Sequence, residues 1–114
     1  MTQTFSDGTF SWDVSKLWEL SKDFEVEEMP LAELEDQLDD DCWGVSPREM
    51  LSVITQHYLR AKGADMSYPI LLTPDGYVCD GMHRLLRAYM EVHETVKVKK
   101  FEEWSEMHYA RIDK

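Results

Sequence analysis

The stretch from Pro69 to Phe101 constrains the fold more than any other part of the chain, because its apolar pattern changes period at definite points. Pro69-Ile-Leu-Leu-Thr73 is a short apolar run and reads as a strand. Thr73-Pro-Asp-Gly76 has the residues of a tight turn, and Tyr77-Val78-Cys79 returns as the second arm of a hairpin. Asp80-Gly81-Met82-His83-Arg84 then opens a mostly buried helix carrying Leu85, Leu86, Ala88, Tyr89 and Met90. From Thr95 to Phe101 the pattern alternates, which predicts a strand with Val96 and Val98 inward and Lys97 and Lys99 outward. Hairpin, helix and strand in that order imply an α+β layer fold, a small mixed β-sheet with packed helices.

The rest of the chain fits one domain. Its 114 residues leave little room for a second. Residues 1–12 read as a weakly ordered lead-in with a turn at Asp7-Gly8. Asp13 can cap a helix from Val14 to Lys22, so residues 1–23 form a lead-in and short helix, and residues 24–114 the domain itself. Phe24-Glu-Val-Glu-Glu-Met29 alternates as a half-buried strand, ended by Pro30. Leu31, Leu34 and Leu38 recur at helical spacing, and residues 39–44 read as a loop. Ser46-Pro47-Arg48-Glu49 starts a helix over 46–62, with Ser as cap, Pro at the first helical position and Glu three residues after the cap. Residues 102–109 suggest a last short helix with Trp104 and Met107.

Charge is distributed unevenly. The formal charge is −11, and all of that excess lies in residues 1–45, where 13 acids meet only Lys16 and Lys22. The densest run is Glu33-Leu-Glu-Asp-Gln-Leu-Asp-Asp-Asp41. It reads as a solvated face, as a surface for a basic partner, or as a mimic of nucleic acid. So acidic a chain does not present a general nucleic-acid footprint. Cys42 and Cys79 make no disulfide framework, and no Cys or His spacing suits zinc. There is no signal-peptide pattern at the start and no apolar run long enough for a bilayer, so a cytoplasmic protein with reduced thiols and no membrane partner is expected. Lys97, Lys99 and Lys100 form the only basic cluster and read as a solvated strand edge or as positive field near the corner at Gly81. Trp43, beside the acidic loop, is the tryptophan best placed to be exposed.

The chemistry concentrates at the strand-to-helix corner. Gly81 permits a tight bend. The unpaired first amides of the helix, with its dipole behind them, suit an anion such as a phosphate. His83 and Arg84 lie in the first turn and can donate to phosphate oxygens. Asp80 can cap the helix, hold a metal ion beside phosphates, or orient a nucleophile. The bland alternative makes Asp80 only a cap, pairs Arg84 with a nearby Glu, and leaves His83 a half-buried polar residue.

Residues 68–101, YPILLTPDGYVCDGMHRLLRAYMEVHETVKVKKF, resemble the N-terminal domain of the ParB family, whose fold is shared with sulfiredoxin and with ParB-related free-serine kinases. Phe24 to Leu34, FEVEEMPLAEL, resembles the opening strand of that group, so the likeness covers about residues 24–101. The resemblance implies a nucleotide site: CTP in ParB, ATP in sulfiredoxin, ADP or ATP in the serine kinases. Carried over, Gly81, His83 and Arg84 would contact the phosphates of ATP or CTP, accompanied by Mg2+ at Asp80. Asp80 and His83 would serve any phosphoryl transfer or phosphoester hydrolysis. Glu27, Glu28 and Glu33 lie near the catalytic acid of the serine kinases, and read equally as surface acids. Met82 stands where sulfiredoxin has its reactive cysteine, and a thioether supplies no thiolate, so that activity is not expected. Only 13 residues follow Phe101, so sequence-specific DNA binding of the ParB type is not expected either. The rival expectation is a non-catalytic interaction protein whose acidic N-terminal surface, including Asp39, Asp40 and Asp41, engages a basic protein.

Overall fold

The computed structural model describes residues 3–39 and 68–112. The expected helix at 46–62, the end of the acidic run at Asp40 and Asp41, and Cys42, Trp43 and His57 lie outside the described residues.

The chain begins with a hairpin in place of the expected weakly ordered lead-in. Strand β1 (Thr4–Ser6) pairs antiparallel with β2 (Ser11–Asp13). The Asp7-Gly8 turn holds because one Asp7 carboxylate oxygen accepts from the amides of Thr9 (2.9 Å) and Phe10 (2.8 Å). Trp12, on β2, is buried and stacks on Phe5 at 5.5 Å between ring centroids. Helix α1 (Val14–Leu20) follows directly, capped as expected by the Asp13 carboxylate, which accepts from Ser15 N at 3.0 Å. It ends two residues before the expected Lys22. The carbonyls just past its end, those of Ser21 and Lys22, accept from Lys99 Nζ at 3.0 and 3.3 Å.

Strand β3 (Glu27–Pro30) is shorter than the alternation from Phe24 suggests, and only Met29 along it is half-buried. Phe24 instead turns edge-on to Phe101, with ring centroids 5.1 Å apart, and Val26 is half exposed. After Pro30 the expected turn appears as two short 3-10 segments, Leu31–Glu33 and Glu35–Asp39, which bury Leu31, Leu34 and Leu38.

The hairpin of β4 (Ile70–Leu72) and β5 (Val78–Asp80) forms where the sequence places it. Gly76 N donates to Thr73 O (2.9 Å), Thr73 N to Tyr77 O (2.8 Å), and Gly76 adopts φ +90°, as the turn requires. Helix α2 (Met82–Met90) leads to β6 (Thr95–Lys100). The four strands lie in the order β3-β6-β4-β5. β6 is parallel to β4, with Val98 opposite Ile70, and antiparallel to β3. β6 is therefore an inner strand, and its lysines do not guard a sheet edge as the sequence suggested.

Side chains divide between the two faces of this sheet. On one face Ile70, Leu72, Val96 and Val98 meet Leu85 and Leu86 of α2 and the leucines of the 3-10 segments. On the other, Leu71 and Cys79 meet Trp12, Leu17, Phe101 and Met107. The continuous apolar run of β4 follows from burial on both sides. A final 3-10 segment, Trp104–Ala110, closes the second face; a capping box between Glu103 and Glu106 starts it. Met107 is buried as expected, while Trp104 lies at the surface, 5.7 Å from the Trp12 ring. The result is a mixed α+β domain, and none of its described helices is long and apolar enough to cross a membrane.

Candidate functional site

Gly81 is the pivot between β5 and α2. Its φ of +112° lies in the left-handed region, and the residue is buried. A Cβ there would come 3.1 Å from Ile70 Cγ1 and 3.2 Å from Ile70 Cα, so sterics as well as torsion require glycine. Gly81 is the cap residue of α2 and, lacking a side chain, makes no cap bond to the helix start. The first amides, on Met82, His83 and Arg84, therefore have no intrahelical acceptor.

Asp80 is not the cap. Its carboxylate turns away from the helix and accepts from Trp18 Nε1 at 2.7 Å and from Gln3 Nε2 at 3.0 Å, one donor on each oxygen. Both donors are neutral and come from the N-terminal 20 residues, so the first hairpin and α1 anchor the end of β5. His83, half-buried in the first turn of α2, faces an open cleft of about 770 Å3. Gly81, Met82 and Asp80 line the same cleft, with Phe5 and Trp104 on its walls. Arg84 is not among the lining residues. Its Nη1 donates to Pro69 O at 3.2 Å, and its guanidinium lies 5.6 Å from the Tyr68 ring centroid. These contacts hold the corner to the start of β4.

The remaining sequence candidates lie elsewhere. Glu27, Glu28 and Glu33 are exposed on β3 and the first 3-10 segment, outside the cleft. Cys79 is buried at the cleft floor, and burial pushes its thiol up to about 12, with the Asp80 charge adding to the effect. It is no thiolate nucleophile at neutral pH. Among the described residues no group of three His, Cys, Asp or Glu side chains is placed to hold a metal ion.

Sequence reasoning missed Trp18, Gln3 and Gln37. Gln37 spans to the hairpin: its Nε2 donates to Gly76 O and its Oε1 accepts from Val78 N, both at 2.8 Å. These partners lie 39 to 77 positions from the groups they hold, and no local spacing signals such pairs. No protein-family model, curated protein or solved structure matches the chain.

Proposed function

We propose that this protein is a small domain of ParB/sulfiredoxin-like architecture that binds a phosphate-bearing ligand, a nucleotide such as ATP or CTP, at the start of α2. The order hairpin, glycine corner, helix, inner strand supports the architecture. One observation carries the ligand: a buried, left-handed Gly81 opens the start of α2 into a cleft beside His83. The positive end of the helix dipole favours an anion at that place. His83 adds a donor, and the rings of Phe5 and Trp104 offer faces for a base.

Binding, not catalysis, is what this geometry favours, because Asp80 uses both oxygens on Trp18 and Gln3. Mg2+ enters only as the companion of a nucleotide's phosphates, in a cleft lined by the carboxylates of Asp7, Asp75 and Asp80. Calorimetry with ATP, CTP and ADP, with and without Mg2+, tests the reading. His83→Glu is the informative variant: an acid in the first turn supports the helix but repels phosphate. Its expected outcome is a folded protein by circular dichroism with at least a roughly tenfold loss of affinity. Folded wild-type protein that binds none of these ligands at millimolar concentration would refute the proposal.

A further inference from the structure

A second hollow, of about 830 Å3, lies at the other end of α2. Its floor is apolar: Leu31 and Ala32 on one side, Tyr89, Met90 and Val92 on the other. Val92 is the unusual member. The turn that ends α2 closes with His93 N donating to Ala88 O at 3.0 Å and Val92 N to Tyr89 O at 3.2 Å. In such a helix ending the left-handed position normally falls to glycine. Here it is Val92, at φ +58°, and a β-branched side chain is the least suited to that region. The side chain is also 84% exposed, so it returns almost no internal packing for that strain. What it does supply is apolar surface at the mouth of the hollow.

The rim is acidic. Glu35 and Glu94 line the hollow, and the 3-10 segments beside it carry Glu33, Asp36 and Asp39 with no basic residue. The nearby side chains of Arg87 and His93 both bond to Glu91, at 3.0 and 2.9 Å. An apolar floor inside an acidic rim is complementary to a segment that is apolar on one face and basic on the other. The same charge repels nucleic acid and anionic lipid, and a chain of formal charge −11 repels its own copies.

We propose that this hollow is a docking surface for a basic amphipathic helix of a partner protein. Its apolar side chains rest on Tyr89, Met90 and Val92, and its Lys or Arg side chains reach Glu94. The surface is separate from the Gly81 corner and does not depend on it.

The test uses a fluorescent synthetic helix with leucine on one face and lysine on the other, and a control in which glutamate replaces lysine. Anisotropy is expected to show binding of the lysine peptide alone, weakening as salt rises. Val92→Gly relieves the strained torsion, so its Tm should rise while affinity falls roughly fivefold or more. Glu94→Gln should weaken binding and flatten the salt dependence. The proposal is overturned by a lysine peptide that fails to bind, or by binding that neither substitution changes, which would place the peptide on another acidic surface.

Discussion

Asp80 shows how one residue's role is set by donors far away in the chain. A carboxylate beside a helix start normally serves that helix, yet here Trp18 and Gln3 claim it. The Trp18 bond, at 2.7 Å and partly buried, is the shorter of the two. Charge-assisted bonds of this kind are stronger than neutral ones. Trp18→Phe keeps an aromatic ring but removes the donor with part of the indole, and should cost about 1–3 kcal/mol in urea unfolding. Trp18→Phe combined with Asp80→Asn should cost less than the sum of the two changes, because both remove the same bond. Additive losses would show that the pair contributes nothing. The glycine of this corner was legible in the sequence, since a strand followed by Asp-Gly and a helical pattern leaves few other conformations. The partners of Asp80 were not, because tertiary folding alone brings residues 62 and 77 positions apart together.

At the scale of elements, side chains complete what backbone pairing leaves open. β5 is an edge strand, and Gln37 bonds Gly76 O and Val78 N much as a neighbouring strand would. Gln37→Ala leaves both groups without these partners and should destabilise by about 2 kcal/mol. Gln37→Glu keeps the acceptor for Val78 N but loses the donor to Gly76 O, so thermal unfolding should place it between wild type and Gln37→Ala. The start of α1 gives a pH prediction. The Ser15 hydroxyl, bonded at 2.7 Å, holds the Asp13 carboxyl below its ordinary value of 3.8. A lowered folded pKa means that this stabilisation is complete above 3.8 and fades as pH falls through the folded value. The Tm difference between wild type and Asp13→Ala should therefore shrink as pH drops below 3.8. A difference that holds constant into stronger acid would contradict the role. Asp13 as cap, the hairpin at Thr73 to Gly76 and the inward Val96 and Val98 were all readable, because each signal is local. The strand expected from Phe24 was overextended for a physical reason. Alternation marks burial only where a second layer covers one face, and Phe24 is used on Phe101 instead.

In the molecule as a whole, the N-terminal residues are not an appendage. Trp12 and Leu17 share a cluster with Leu71, Phe101 and Met107, and Ser11 O accepts from Ile112 N at 3.0 Å. Three-residue strands are too short to show a period, so residues 1–12 read as a lead-in although Phe5 walls the cleft and Gln3 anchors Asp80. The acids of residues 3–39 and the start of α2 thus lie in one folded body. On the proposed function, an anion is attracted to the start of α2 in spite of the overall charge. The most direct measurement of that claim is a titration of the 15N-labelled protein with ATP, followed by amide chemical shifts. The account predicts the largest shifts at Gly81, Met82 and His83, absent in His83→Glu. Shifts confined to Lys97 and Lys100, or none at millimolar ATP, would contradict it.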